Sequence, residues 1–219
     1  MKVGIVGLPN VGKSTLFNCL SQSKAQSENY PFCTIDPNVS IVNVPDKRLD
    51  ALNKLISPEK LIPTTVKIVD IAGLVKGASK GEGLGNKFLS NIRETDAIIH
   101  VLRCFDDPNV VHVDGKINPL SDREVVEYEL IMKDIEIVDK RLDKVKKTLR
   151  SGGNEAKKEI EILERVKLSL ESTKVNLDDY SEDEFKDFIK PLELISFKPI
   201  LYVCNVGESD VVDGNDYVE

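Results

Sequence analysis

The chain has 219 residues and a formal net charge of −7, from 30 basic and 37 acidic side chains. Hydrophobic residues make up 41% of it, enough for a substantial core, which excludes a disordered protein and a disulfide-dependent miniprotein. The acidic balance argues against nucleic-acid binding over the whole surface but allows a local basic patch. The sequence has neither an apolar run of about 18 residues nor the features of a signal peptide, so we predict a cytoplasmic protein.

Short β-rich runs alternate with helical stretches over the first 112 residues, and one further strand run follows near the end of the chain. Strands separated by helices are typical of a mostly parallel sheet with helices on both faces. We therefore predict an α/β fold. The predicted strands are 3–6, 40–44, 66–71, 97–102 and 198–204.

Between the last two strands the hydrophobic period becomes that of a long helix. Residues 121–124, SDRE, resemble a capping box that opens this helix, and residues 151–154, SGGN, interrupt it. The predicted seam of the outgoing helix is Tyr128, Ile131, Ile135, Val138, Leu142, Val145 and Leu149. The predicted apolar positions of the returning helix are Ala156, Ile160, Leu163 and Leu170. We expect an antiparallel helical hairpin, residues 119–196, inserted into an α/β domain formed by residues 1–118 and 197–219.

Residues 7–14, GLPNVGKS, match the phosphate-binding pattern G-x-x-x-x-G-K-[ST] between a predicted strand and a predicted helix. Glycines let successive backbone N–H groups curl around phosphate oxygens, and the helix N-terminus adds positive potential. Lys13 is expected to reach the β- and γ-phosphates, and the Ser14 hydroxyl is expected to ligate Mg²⁺. The nucleotide-binding residues predicted here are Asn10, Val11, Gly12, Lys13, Ser14 and Thr15.

A second pattern, D-x-x-G, begins at Asp70, where an apolar strand ends. The Asp70 carboxylate can hold the Mg²⁺ shell, and the N–H of Gly73 can meet the γ-phosphate. Thr34 lies in a loop between the first helix and the second strand, where its hydroxyl would complete the coordination. A turn-forming threonine would look the same. The predicted metal ligands are Ser14, Thr34 and Asp70.

Taken in order, these motifs resemble those of a Ras-like GTPase domain. Residues 7–18, 30–35 and 70–78 resemble more narrowly the YchF subfamily of Obg-like ATPases, with the sequences GLPNVGKSTLFN, YPFCTI and DIAGLVKGA. The likeness extends over essentially the whole chain, including the helical hairpin. It implies a P-loop NTPase fold, a Ras-like G domain with the hairpin inserted.

The base-recognition motif bears on the choice between ATP and GTP. A GTPase carries N-K-x-D, whose carboxylate accepts hydrogen bonds from guanine, whereas residues 205–208 here are N-V-G-E. Adenine has an unprotonated N1, so a carboxylate at that place would have no donor to bind. The resemblance implies a preference for ATP, with Asn205 reading the adenine edge. Val206 and Glu208 complete the predicted nucleotide-binding residues.

The hydrolytic residues are less directly specified. Leu74 stands where many Ras-like proteins place a water-orienting glutamine, so another group must help. The resemblance implies His112, which matches the histidine proposed to orient water in YchF-like ATPases, although a surface-loop histidine is equally compatible. Asn10 resembles the asparagine of potassium-dependent relatives, which implies K⁺, and a loop-stabilising side chain is the alternative. The predicted catalytic residues are His112, Lys13 and Gly73.

The predicted hairpin tip is basic within an acidic chain. Between residues 140 and 158, eight basic side chains against two acidic ones give a local charge of +6. A solvated helix face would explain this pattern, and so would phosphate contacts with ribosomal RNA of the large subunit. The ribosome association of YchF-like proteins fits the second explanation. The basic residues are Lys140, Arg141, Lys144, Lys146, Lys147, Arg150, Lys157 and Lys158.

These observations lead us to expect an Mg²⁺-dependent ATPase that hydrolyses ATP to ADP and phosphate and acts as a ribosome-associated switch. The alternatives are a GTPase of the same fold and a nucleotide-gated ribosome- or RNA-binding module with negligible turnover. A Ras-like sheet needs a further strand and helix after residues 205–208, and YchF proteins carry a C-terminal TGS domain. We therefore expect the 219 residues to be an N-terminal fragment.

Overall fold

The computed structural model describes residues 1–21, 38–71, 84–111 and 115–219, with the main chain alone at 84–88 and 149–152. The strands are β1 (Lys2–Val6), β2 (Val39–Asn43), β3 (Thr65–Asp70), β4 (Ala97–Cys104) and β5 (Ile200–Val206). The helices are α1 (Lys13–Ser21), α2 (Lys47–Ile56), α3 (Leu84–Arg93) and α4 (Pro119–Glu171). Short helical turns lie at Leu177–Asp179, Glu182–Glu184, Phe185–Ile189, Lys190–Leu192, Ile195–Phe197 and Glu208–Asp210.

The strands form one sheet in the order β2-β3-β1-β4-β5. β1 runs parallel to both β3 and β4, β4 runs parallel to β5, and β2 joins β3 in antiparallel orientation. Central parallel strands are covered on both faces, which explains why Ile5, Val6 and Ile98 are almost completely buried. The predicted α/β fold is confirmed.

Contacts divide the chain into two compact units. The first comprises Met1–Gly73, Thr95–Ile117 and Ile200–Glu219, and the second comprises Leu74–Glu94 and Asn118–Pro199. The second unit therefore includes α3 as well as the inserted helices, whereas the sequence predicted that α3 belongs to the α/β domain. One contact that holds α3 in this unit joins the ammonium of Lys198 to the carbonyl of Arg93, at 2.7 Å.

Helix α4 consists of two antiparallel arms. Gly153 interrupts it with φ 59° and ψ −146°, so residues 119–152 form a first arm and residues 154–171 a second arm. Ion pairs connect the two arms, Lys146 to Glu164 at 2.9 Å and Lys167 to Asp139 at 2.7 Å. The predicted helical hairpin is thus present, with its break inside the predicted segment.

Two details of the hairpin differ from the sequence analysis. The helix begins at Pro119 and is capped by Asn118, whose side chain accepts from the N–H of Ser121, because proline suits the first helical position. Ser121 is therefore not the cap. Tyr128 is 58% exposed and does not belong to the seam. Among the side chains that the structure describes, the buried positions of the first arm are Asp122, Val126, Glu129, Leu130, Asp134, Val138, Leu142 and Val145.

The second unit has its own apolar core. From the second arm it takes Ile162 and Val166, which the sequence analysis missed, together with the predicted Leu163 and Leu170. Residues 180–194 add further buried side chains to the same cluster. In the part of the chain that the structure describes, no helix is both long and apolar enough to cross a membrane.

Candidate nucleotide-binding site

The phosphate-binding loop, residues 7–14, connects the end of β1 to the start of α1, as the sequence predicted. Gly7 has φ 150°, and a Cβ there would lie 2.5 Å from the carbonyl oxygen of Val101. Gly12 has φ 100°, and a Cβ there would collide with the side-chain nitrogen of Asn205. Asn10 also has a positive φ of 62°, which asparagine tolerates better than most residues. The loop therefore combines tight main-chain packing with conformations that side chains normally disfavour.

Lys13 lies at the first position of α1 and is 8% exposed. Its ammonium donates a hydrogen bond of 2.7 Å to the carbonyl oxygen of Leu8, within the same loop. Burial lowers the pKa of Lys13, and the Asp70 carboxylate partly opposes that shift. A cation held in this way gains a stronger partner when a phosphate anion reaches the loop.

The Ser14 hydroxyl lies 3.2 Å from a carboxylate oxygen of Asp70 and donates to it. This contact brings the start of α1 to the carboxyl end of β3, two places that lie at the same edge of a parallel sheet. A hydroxyl and a carboxylate are oxygen ligands that suit Mg²⁺, which binds through one or two carboxylates and otherwise through phosphates and water. Among the described residues, no three or more His, Cys, Asp or Glu side chains cluster into a metal site. A Mg²⁺ site of this kind does not need such a cluster, because phosphates and water supply most of the ligands.

The predicted base-recognition residues lie at the end of β5. The side-chain amide of Asn205 donates a hydrogen bond of 2.9 Å to the carbonyl oxygen of Val11 in the phosphate-binding loop. Val206 is the last residue of the strand, and Glu208 opens the short turn Glu208–Asp210 with an exposed side chain. Thr15 is exposed at the second position of α1.

Another segment beside the phosphate-binding loop is residues 105–111, which we call the β4 loop. The side-chain amide of Asn10 donates a hydrogen bond of 3.1 Å to the carbonyl oxygen of Val111, the last described residue of this loop. The buried guanidinium of Arg103, 2% exposed, donates to carbonyl oxygens of the same loop. Arg103 was not among the predicted site residues, although a lone cation within the apolar run 97–104 was a visible signal.

Three predicted site residues, Thr34, Gly73 and His112, lie outside the described residues. The structure brings together Asn10, Val11, Gly12, Lys13, Ser14, Asp70 and Asn205. The roles of these residues, and of the three outside the described part of the chain, remain predictions.

The basic residues of the hairpin tip differ in their surroundings. Ion pairs engage Lys140 with Glu136, Arg141 with Glu159, and Lys146 with Glu164. Lys158 lies over the Phe188 ring at 5.8 Å, and the side chain of Arg150 is not described. Lys144, Lys147 and Lys157 are exposed and make no ion pair with any residue that the structure describes.

Comparison with known proteins gives consistent results. The protein family described as "50S ribosome-binding GTPase" matches residues 2–149. The chain is 53% identical over 220 residues to the ribosome-binding ATPase YchF of Bacillus subtilis, covering 100% of this chain and 60% of that protein. The corresponding YchF of Escherichia coli O157:H7 is 48% identical over 219 residues, with the same coverage.

Among solved structures, that of the Schizosaccharomyces pombe YchF GTPase superposes with a TM-score of 0.84 at 41% identity. The match covers 100% of this chain and 60% of the S. pombe chain. The chain thus spans about 60% of the length of the relatives that it matches.

Proposed function

Since the chain belongs to the family of 50S ribosome-binding GTPases and resembles its YchF members, we propose that it is a ribosome-associated nucleotide switch. In this proposal it acts in the cytoplasm and hydrolyses ATP to ADP and phosphate with Mg²⁺. The observation that carries the proposal is the hydrogen bond from Ser14 to Asp70 beside the buried ammonium of Lys13.

Each of these side chains has a separate task in the proposed reaction. Lys13 exchanges the Leu8 carbonyl for oxygens of the β- and γ-phosphates, which are stronger acceptors because they are charged. Ser14 and Asp70 would hold Mg²⁺, which would supply positive charge against the negative charge that develops on the phosphates. The N–H groups of the phosphate-binding loop hold the remaining phosphate oxygens, and the N–H of Gly73 meets the γ-phosphate.

The preference for ATP is supported by the orientation of the Asn205 amide. Its N–H group donates to the Val11 carbonyl, so its oxygen remains an acceptor. An acceptor can pair with the 6-amino group of adenine, whereas the O6 of guanine is itself an acceptor and would leave both groups unpaired. The absence of lysine from residues 205–208 favours the same conclusion. A GTPase of the same fold is the alternative, since the relative from S. pombe is described as one.

The task of orienting the attacking water is assigned to His112, because Leu74 has no group that polarises water. If the reaction uses K⁺, Asn10 is the residue that would bind it. A nucleotide-gated module with negligible turnover is the alternative here, and the two differ in single-turnover rate.

The decisive experiment measures ATP and GTP hydrolysis side by side, with and without Mg²⁺, K⁺ and ribosomes. We expect faster hydrolysis of ATP than of GTP, and loss of activity in Asp70→Asn. Asp50→Asn is a matched control, because it makes the same change at an exposed residue of α2 that belongs to none of the motifs. Equal rates in Asp70→Asn and Asp50→Asn would contradict the metal assignment, and a full rate in His112→Ala would remove the histidine from the mechanism.

Ribosome binding is assigned to the hairpin tip. Lys144, Lys147 and Lys157 are exposed there and make no ion pair with described residues, so they keep their charge for phosphates of large-subunit ribosomal RNA. The basic residues already paired with glutamates are expected to contribute less, since RNA contact would first have to replace an existing partner.

A further inference from the structure

Arg103 is a buried cation at the end of β4 whose partners are main-chain carbonyls. Its three guanidinium nitrogens donate to Phe105 at 3.2 Å, to Val110 at 2.9 Å and to Asp107 at 3.2 Å. The guanidinium also lies 4.8 Å from the centre of the Phe105 ring. A buried guanidinium is costly to desolvate unless its donors are satisfied, so the β4 loop must keep its carbonyls turned toward it.

The β4 loop is fixed from its outer side as well. The Tyr217 hydroxyl donates to the carboxylate of Asp106 at 2.9 Å, and the Asp107 carboxylate accepts from the N–H of Asn109 at 2.8 Å. The Asn215 amide donates to the carbonyl of Cys104, where β4 ends, at 2.8 Å. These contacts leave the main chain little freedom between Cys104 and Val110.

The constrained loop then meets the phosphate-binding loop. Arg103 holds the carbonyl of Val110, and the next carbonyl along the chain, that of Val111, accepts from the side chain of Asn10. Asn10 has a positive φ of 62°, a conformation that costs free energy in residues other than glycine and that an external hydrogen bond can stabilise. Arg103 therefore acts on the phosphate-binding loop through two consecutive carbonyls.

We propose that Arg103 is a positioning residue of the nucleotide site: by fixing the main chain at Val110 and Val111, it holds Asn10 in the conformation that binds phosphate. This inference rests on the proposed function, since it assumes that residues 7–14 bind a nucleoside triphosphate. Arg103 itself does not touch the nucleotide in this proposal, because its side chain is buried and its donors are directed to the β4 loop.

The test compares Arg103→Lys with the wild-type chain. Lysine keeps the charge but has one nitrogen, so it cannot hold three carbonyls in fixed directions. The first readout is the side-chain amide NMR signal of Asn10, assigned from its loss in Asn10→Ser. The second is the affinity for a fluorescent ATP analogue. We expect the amide signal to shift and the affinity to fall about fivefold, the loss of roughly one hydrogen bond.

Two controls separate positioning from general destabilisation. Asp134→Asn removes a buried carboxyl group in the second unit and should lower stability without moving the Asn10 signal or the affinity. A double variant, Arg103→Lys with Asn10→Ala, should bind no more weakly than Asn10→Ala alone, because both changes remove the same contact. An unmoved Asn10 signal, or losses that multiply in the double variant, would overturn the proposal.

If Arg103→Lys does not fold, Tyr217→Phe loosens the β4 loop from its exposed side, and a smaller shift of the same signal is expected. An unmoved signal in that protein would count against the proposal. A wild-type chain that binds no nucleotide would overturn the proposed function, while the amide signal would still decide whether Arg103 positions Asn10.

Discussion

The side-chain amide of Asn205 donates a 2.9 Å hydrogen bond to the main-chain carbonyl of Val11, although 194 residues separate them. The two meet because β1 and β5 run in the same direction on either side of β4, so their carboxyl ends lie at one edge of the sheet. The predicted base-recognition residue is thereby tied to the predicted phosphate-binding loop, and Gly12 leaves the space that this contact needs.

Gly12→Ala should remove this contact. The added Cβ would collide with the Asn205 amide, and φ 100° adds backbone strain of about 1 to 2 kcal/mol. We expect nucleotide affinity to fall at least tenfold, measured by calorimetry, with a lower free energy of unfolding in urea. Gly214→Ala is the matched control, because Gly214 has φ 77° and nothing within 4 Å of a Cβ. Equal effects of the two variants on nucleotide affinity would show that the Asn205 contact is irrelevant to binding.

Lys13→Met should separate binding from stability. Burial lowers the pKa of the ammonium, so the charged form costs folding free energy, while its hydrogen bond to Leu8 partly offsets that cost. We expect nucleotide binding to be lost and the free energy of unfolding without nucleotide to change by less than about 1 kcal/mol. Thermal unfolding with and without ATP measures both quantities. A methionine variant that ATP still stabilises would contradict the role of Lys13.

Features that depend on residues close together in the chain could be predicted from the sequence, whereas features that depend on distant packing could not. The strands, the phosphate-binding loop and the helical break near Gly153 follow from patterns within about ten residues, and all were predicted. The predicted seam was wrong at Tyr128, which is exposed while Val126, Glu129 and Leu130 around it are buried. Further along the arm the predicted spacing holds: Val138, Leu142 and Val145 are buried, and Ile131 and Ile135 pack partly buried against the same core. The register at Tyr128 depends on what the arm packs against.

Buried charges were missed for a related reason. Asp134 and Arg103 are almost completely buried, and neither was predicted, because the hydrogen bonds that hold them come largely from main-chain groups that the fold brings to them. The N–H groups that satisfy Asp134 belong to Ile195 and Ser196, about sixty residues further along the chain. No pattern of side chains records such partners.

Asp134 should make the stability of the chain depend on pH. Burial raises the pKa of this carboxyl, while hydrogen bonds from Ser196 and Ile195 oppose the shift. The folded state therefore binds this proton more tightly than the unfolded state does. The resulting contribution to the free energy of unfolding is fully present below the unfolded pKa of 3.8, and it is lost as the pH rises through the higher pKa of the folded state.

The measurement is urea unfolding of wild type and Asp134→Asn from about pH 7 to about pH 5, where acid effects elsewhere are shared. Asparagine would present an amide N–H₂ to backbone donors, so we expect a loss of about 1 to 3 kcal/mol. The loss should grow as the pH falls, since only the wild type gains from protonation. Asp143→Asn, at an exposed position of the same arm, should show neither effect. A loss that shrinks on acidification would contradict the raised pKa.

Ribosome binding should depend on three lysines of the hairpin tip. We expect the triple glutamine variant of Lys144, Lys147 and Lys157 to bind ribosomes more weakly in co-sedimentation, because these side chains are exposed and make no ion pair with described residues. Each phosphate contact contributes about 0.7 to 0.9 to the slope of log affinity against log salt, so losing three should reduce the slope by about 2 to 3.

The control for this variant removes the same charge elsewhere. Lys54, Lys60 and Lys116 are exposed lysines of the first unit, and their triple glutamine variant has the same net charge as the tip variant. If binding followed net charge alone, the two variants would weaken it equally and lower the salt slope by the same amount. A larger loss in the tip variant identifies the hairpin as the contact, because phosphate contacts are local and are screened beyond about 8 to 10 Å at ordinary ionic strength.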